Sequence, residues 1–582
     1  MAGMGSLYTG LSGIQAGQNA LNTTAHNLAN VNTTGYVRQQ VLQGDAEYFR
    51  AGEASISRMQ AGIGVTTEDI RQVRDFFLDK AYRTESGRQS FYETGYSVIE
   101  EVETLFGELE GVAFQGAMTD LRNAISELAK DPASTVNRSL LKQKAVSFIE
   151  RAAAVTEGLS FYQENLDVQA KETIARINEL GSTINSLNGQ ILKIEAGRVE
   201  NANDLRDARN SALDELSTLI KTEYKEDENG LVTVNAEGVQ FVTKDSVYMM
   251  EAAEDPATGF VEPTWPHLKG ARVFDLESGC FSGNNSDIGG LKSLILARGI
   301  KEGNYTDIPA APDRADYASG AEYEAALTQY TKDRDYYNSS VEASILMNTM
   351  AEFDQLIHGI VTGINDVLCP NTEIEGTIDG VTGTFTVLDE EKASYESDGT
   401  VMGTELFSRS GVDRYELKSL TLADGTTREV YLYRQEDPGD IPSLYSVKNL
   451  EVNPAVLKDI GKLPLTTAEG DVDYDKAGAL EDIWRKDFAS LNPNTQVVNT
   501  FGTYYNSLVS AIANEGSVYR SVSEAERTTI QELQNQRQSV AGVSSDEELA
   551  NMIKYQNAYN ASSRYMNVVS EMLEQIVSSL GA

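Results

Sequence analysis

The feature that most constrains this chain is a three-four alternation of apolar residues at each of its two ends. Leu7, Leu11, Ile14, Gln18, Leu21, Ala25 and Leu28 recur at steps of four and three residues. Met552, Tyr555, Tyr559, Ser562, Met566, Val569, Leu573, Ile576 and Leu580 do the same near the other end. Such spacing lines side chains along one seam of a helix, as coiled-coil packing requires. Ser6 precedes the first seam as a candidate N-cap, and Asn30-Val-Asn-Thr-Thr-Gly35 predicts the turn that ends that helix. Ser545-Asp-Glu-Glu548 reads as a capping box with acids against the positive end of the second helix, and Gly581 as its left-handed C-cap. Helices with so narrow an apolar seam are marginal in water on their own. The two ends are therefore expected to pair with each other and to complete their burial against further copies. The predicted assembly contacts are Leu7, Leu11, Ile14, Leu21, Leu28, Met552, Tyr555, Tyr559, Met566, Val569, Leu573, Ile576 and Leu580.

Charge narrows the partners. Among 582 residues, 48 are Lys or Arg and 88 are Asp or Glu, a net charge of −40. A surface so acidic repels phosphate backbones, so no nucleic-acid partner is expected. No run approaches the roughly 18 apolar residues of a membrane span, so no membrane insertion is expected. The start, MAGMGSLYTGLSG, lacks the basic and apolar regions of a cleaved secretory signal.

Chemistry is equally restricted. The two cysteines, Cys280 and Cys369, are far apart and read as separate buried thiols, with a disulfide as the alternative. The three histidines, His26, His267 and His358, form no cluster with them, so no metal site is expected. Gly461-Lys462 lacks the flanking residues of a phosphate loop, and Gly62-x-Gly64 lacks the third glycine of a dinucleotide fingerprint. No catalytic residue and no cofactor is assigned. An enzyme, such as a wall hydrolase within 226–479, would need an acid/base or metal constellation that this region does not display.

Between the ends the pattern runs helix, mixed β, helix. Residues 91–220 read as helical, with Ile174, Ile177, Leu180, Ile184, Leu187, Ile191 and Ile194 as a stripe. Asn203-Asp204 open another helix bearing Leu205, Ala208, Ala212, Leu216 and Ile220. Strand pairs are predicted at 231–234 with 239–242, and at 415–417 with 430–433 around Asp424-Gly425. Segments 289–296 and 343–368 read as helices, 305–323 as a loop, and 501 to the end as helix. Trp265 and Trp484 are read as buried anchors, His26 as facing solvent or a neighbouring helix, and Met552, Met566 and Met572 as flexible packing. The expected architecture is mainly α, with paired terminal coiled-coil helices, a long helical shaft and β-containing inserted outer parts. Its divisions are 1–60 with 541–582 (coil), 61–225 with 480–540 (shaft) and 226–479 (outer region).

Several blocks resemble the flagellar rod, hook and hook-associated protein family. Gly10-Leu-Ser-Gly-Ile-Gln-Ala-Gly through Asn30-Val-Asn-Thr-Thr-Gly-Tyr36 is similar to its N-terminal signature. Gly62-Ile-Gly-Val65 with Ile70-Arg-Gln-Val-Arg-Asp-Phe-Phe-Leu-Asp79, Asn203-Asp-Leu-Arg-Asp-Ala-Arg-Asn-Ser-Ala-Leu-Asp-Glu-Leu216 and Gly289-Gly-Leu-Lys-Ser-Leu294 resemble later blocks of its hook-associated protein 1 branch. Asp546-Glu-Glu-Leu-Ala-Asn-Met-Ile-Lys-Tyr-Gln-Asn-Ala-Tyr559 is similar to the closing helix. The order of these blocks separates this branch from hook and rod subunits, which share single blocks. The match is weakest over about 300–480.

The resemblance implies a structural, non-enzymatic part of the bacterial flagellum at the hook–filament junction, outside the cell. It implies export through the flagellar channel without a cleaved signal, a ring of identical copies, and contacts with the hook protein and a second junction protein. It also implies an export chaperone on the C-terminal helix. A hook or rod subunit, or a secreted adhesive module using the tyrosines and hairpins of 300–440, are the alternative readings.

Overall fold

A computed structural model describes residues 2–54, 57–107, 114–197, 200–276, 279–280, 282–317, 319–399 and 402–580. The chain starts with α1 (Ala2–Ala29), then forms strands Gln39–Asp45, Tyr48–Ala54, Ser57–Gly62 and Val65–Gln72. The outer two of these pair antiparallel with each other, as do the inner two. Four helices follow: α2 (Phe76–Phe106), α3 (Phe114–Lys130), α4 (Thr135–Glu195) and α5 (Asn203–Leu219). At 61 residues α4 is about 90 Å long, the longest strut in the molecule. Its start is fixed by Ser134, whose Oγ accepts from Asn137 N–H.

The central region adds α6 (Gly290–Arg298), α7 (Gly320–Tyr336) and α8 (Ile345–Leu368), then α9 (Pro454–Lys458) and α10 (Tyr474–Asp482). The chain returns through α11 (Phe501–Ala541) and ends in α12 (Ser545–Leu580). Helix α11 runs beside α2, and α12 beside α1, so both ends of the sequence come back together.

Two cores share α4. The larger gathers the first half of α4 with α2, α3, α8, α10 and the start of α11. Its centre is aromatic: the Phe114 ring lies 4.9 Å from Phe353 and 5.5 Å from Phe148 and Tyr505. The second half of α4 carries the Ile174, Ile177, Leu180 and Ile184 stripe into another core with α5, the sheet Thr222–Glu226, Val232–Ala236, Val239–Val242, and Trp265. Helices α6 and α8, which lie within 226–479, are thus packed in the main cores beside the shaft helices. Farther out, strands Asn371–Ile378, Val381–Leu388, Thr427–Tyr433 and Tyr415–Thr421 close a four-stranded barrel around Ile378, Val387, Leu420 and Val430.

The mainly α architecture with paired terminal helices, a helical shaft and inserted β modules is as expected. Several local readings are corrected. Ser6 lies inside α1 and is not at its N-terminus, because that helix already begins at Ala2. Ser544, one residue before the expected box, supplies the cap of α12, accepting from Glu547 N–H at 3.4 Å. Gly581 lies outside the described residues. The helix predicted from 501 to the end is interrupted at 542–544. Ile194 and Ala208 are exposed at the ends and edges of their stripes. The strands at 39–72, the hairpin at 371–388 and α7 have no counterpart in the sequence reading. Trp265 and Trp484 are buried, as expected. Both cysteines are free; Cys369 is buried, which pushes its thiol up to about 12, whereas Cys280 is only half-buried.

Several carboxylates sit inside. Burial pushes Glu352 up to about 8, with Glu515 and Glu342 adding like charge. Its Oε1 accepts from Asn348 Nδ2 at 3.2 Å. Burial likewise raises Glu405 and Glu515 to about 7, and Asp354 and Asp207 to about 6. Each folded value exceeds the unfolded one, so folding takes up protons between about pH 4 and pH 8. Their contribution is full at the acid side of that window and is lost as pH rises through it. The thermal midpoint is therefore expected to rise on going from pH 8 to pH 5.5. Glu352→Gln should stabilise the fold by about 3 kcal/mol at pH 7, from 2.5 pH units at 1.36 kcal/mol each. It should also flatten the pH slope; a variant melting with the parent's slope would contradict this origin.

Candidate assembly interface

Helices α1 and α12 run antiparallel and meet through small residues. A Cβ on Gly10 would stand 2.6 Å from Met566 Sδ, and one on Gly13 2.5 Å from Ser562 Oγ. At Gly17 it would stand 3.3 Å from Tyr559 Cβ and 3.4 Å from that residue's backbone. Ala20, Thr24 and Asn27 continue the same face and are buried. Positions 10, 13, 17, 20, 24 and 27 alternate by three and four, so this is a coiled-coil seam in periodicity but a flat one in shape. Absence of side chains lets the two backbones approach closely.

The predicted seam of α1 lies about 100° round the helix from that face. Leu7, Ile14, Leu21 and Leu28 are half-buried along its flank, and Leu11 is 43% exposed. On α12 the predicted seam does face α1. Met552, Tyr555, Tyr559, Met566 and Leu573 are half-buried and Val569 is 7% exposed, whereas Ile576 is 52% exposed. The side chain of Leu580 lies outside the described residues. A second stripe on α12, Tyr565, Val568, Met572 and Ile576, points to solvent. Pairing therefore covers one face of each helix and leaves apolar residues uncovered on both.

Below the coil, residues 30–38 stitch α1 to the shaft. Asn27 donates from Nδ2 to Gln39 O at 2.9 Å and accepts from Gln39 N–H at 3.0 Å, as a strand residue would. Its Oδ1 also accepts from Tyr36 Oη at 2.7 Å. His26 sits edge-on to Tyr36 and 3.6 Å from Asp204, partly open to solvent. Val37 N–H and Gln72 Nε2 donate to Asp207 on α5 at 3.2 and 2.7 Å. Arg38 N–H donates to Ala541 O at 2.8 Å, and its guanidinium meets Glu547 at 3.0 Å, across the break between α11 and α12.

Charges lock the same joint. Arg537 of α11 bonds Asp79 of α2 at 2.8 Å and Asp214 of α5 at 2.9 Å, and lies 4.2 Å above the Tyr82 ring. Arg83 meets Asp214 at 2.6 Å, and Arg74 meets Asp79 at 3.0 Å. Burial alone would raise the Asp79 carboxyl, but Arg74 and Arg537 hold it below the usual range. Three distant segments are thereby joined through a chain of alternating charge.

Among the described residues no group of His, Cys, Asp and Glu is placed to hold a metal ion. No described helix is long and apolar enough to cross a membrane.

Comparison with known proteins matches the two ends and the shaft separately. Residues 99–294 match the family described as Flagellar hook-associated protein FlgK helical domain. Residues 7–36 match Flagella basal body rod protein, and 534–579 match Flagellar basal body rod FlgEFG protein C-terminal. Flagellar hook-associated protein 1 of Bacillus subtilis is 23% identical over 99% of this chain and 98% of its own. The proteins of that name from Salmonella typhimurium and Escherichia coli are each 22% identical over 97% of this chain and 98% of theirs. Over nearly its whole length the chain is similar to proteins named flagellar hook-associated protein 1. The solved flagellar hook junction protein FlgK of Burkholderia pseudomallei has the same fold, with a TM-score of 0.51 at 12% identity, over 79% of this chain and all of that one. The glycine face of α1 lies inside the rod-protein match, and the end of α11 with α12 as far as 579 lies inside the C-terminal match.

Proposed function

We propose that this chain is a structural subunit of the flagellum that builds the hook–filament junction through its paired terminal helices, as a hook-associated protein 1. The observation that carries this reading is the coil itself: α1 and α12 are joined by a face of small residues and leave Leu11, Tyr565, Val568, Met572 and Ile576 uncovered. Apolar residues left in water on a slender two-helix coil favour association, at about 25 cal/mol per Å2 removed from solvent. The predicted contacts Leu7, Ile14, Leu21 and Leu28 flank that coil and are assigned to neighbouring copies in a ring. Hook protein and the second junction protein are assigned to the two ends of the ring. The exposed stripe of α12 is also the surface offered to an export chaperone before assembly, and export without a cleaved signal accompanies that route. Coil, shaft and outer region keep the proposed divisions, with α6 and α8 contributing their apolar faces to the shaft's cores. The family is structural, and no catalytic role is assigned.

An epitope placed in the exposed turn at Asp424-Gly425 and labelled with gold on isolated flagella tests the location. Label is expected as a single band between hook and filament. Label along the hook or in the rod would support the alternative subunit, and label shed into the medium the adhesive one. Deletion of the gene is expected to leave hooks without filaments.

A further inference from the structure

On the side of the joint away from the coil break, a pocket of about 360 Å3 opens between the end of strand Val65–Gln72, the start of α2 and α5. Arg71, Arg74 and Arg206 line it with Asp79 and Glu226; Arg206 is held by Glu195 and Glu226 and Arg74 by Asp79, which leaves the Arg71 guanidinium to meet an incoming anion. Arg74 Nη1 and Tyr224 Oη are buried there without a hydrogen-bond partner; Arg74 Nη1 stands 3.7 Å from the nearest oxygen of Asp207. Buried donors are ordinarily satisfied, so these two mark a place for an acceptor. Arg71 is exposed and makes no ion pair among the described residues. Beside Tyr224, whose ring is 5.3 Å from Phe76, the lining includes Phe76 at 50% exposure, and Phe77, 81% exposed, stands next to it with its ring 6.3 Å away.

We propose that this pocket receives a carboxylate side chain from an acidic segment of a second copy of the chain, with Phe76 and Phe77 packing around it. Guanidinium groups and a phenol hydroxyl are the donors that a carboxylate's two oxygens accept best. The occupant is another copy because a chain with 88 acids and 48 bases offers carboxylates on nearly every face. The strand that forms the pocket wall also packs on α1, so the pocket continues from the coil whose pairing with copies is proposed above, and it rests on that reading.

The test is photo-crosslinking in assembled flagella, with benzoylphenylalanine in place of Phe77 or, separately, of Leu11. Position 77 is expected to join an Asp- or Glu-rich peptide of a second copy, and position 11 a neighbouring coil. Arg71→Glu should cut the position-77 product about tenfold, and Arg71→Lys should keep it. Arg71 is exposed, so both variants should melt with the parent. Copy-to-copy products from position 11 with none from 77, a different protein captured at 77, or indifference to Arg71→Glu would overturn the pocket and leave self-assembly standing. Failure at both positions would overturn both.

Discussion

Gly17→Leu is expected to separate the terminal helices and abolish junction assembly while leaving the shaft folded. Even a methyl at this position would stand 3.3–3.4 Å from the backbone and Cβ of Tyr559, and backbone cannot rotate aside as the side chains opposite Gly10 and Gly13 can. The further atoms of leucine have no room without parting the helices, at a cost near the upper end of overpacking penalties, about 3 kcal/mol. A coil of two helices with little other support has no such reserve. Peptide-resolved hydrogen exchange should show strong protection in 2–29 and 545–579 of the parent and its loss in the variant, with α4 unchanged. Ala25→Leu, on an exposed face of the same helix that does not meet α12, adds the same side chain and should keep the parent's protection in the purified chain. If Gly17→Leu retained the parent's protection at both ends, the small-residue seam would not be what holds the coil.

Arg537→Met is expected to destabilise the joint by about 3–5 kcal/mol, the range for removing one partner of a buried ion pair. The substitution keeps the packing on Tyr82 but leaves Asp79 and Asp214 each with a single arginine, Arg74 and Arg83 respectively. Urea unfolding of the purified chain reads the loss. Asp214→Asn in the same background should recover part of it, because the uncompensated charge then disappears. A loss below about 1 kcal/mol would place this network among ion pairs whose solvent access makes them nearly neutral.

Legibility followed side-chain size. The seam of α12 was readable because Tyr555, Tyr559, Met566 and Val569 are large and regularly spaced. Its partner face was not, because Gly10, Gly13, Gly17 and Ala20 contribute nothing to an apolar pattern. Their three-four spacing was nevertheless present as a pattern of small residues. For the same reason the reading of α1 fell on Leu7, Leu11 and Ile14, which lie one position away on the helix. Strand Gln39–Asp45 was hidden by its glutamines, and α7 by having no buried residue to impose a period. Asp379-Gly380 was a usable hairpin signal: both residues have positive φ in a two-residue turn between the paired Ile378 and Val381. The ionic joint had no local signature, since Arg537 is 458 positions from Asp79 and 323 from Asp214.

The four-stranded barrel hangs from the body as two hairpins laid side by side. Each leaves and rejoins the body at the same end, where Tyr415 Oη reaches both Cys369 O and Asn371 Oδ1. Asp379-Gly380 and Asp424-Gly425 form the free tips. A twisting load carried along α2, α4 and α11 therefore bypasses the barrel, as traffic on a bridge bypasses a balcony. Under the proposed function, mutations, insertions or attached cargo at these two tips are expected to be mechanically silent, so the tips could diversify without disturbing the helices that carry the load.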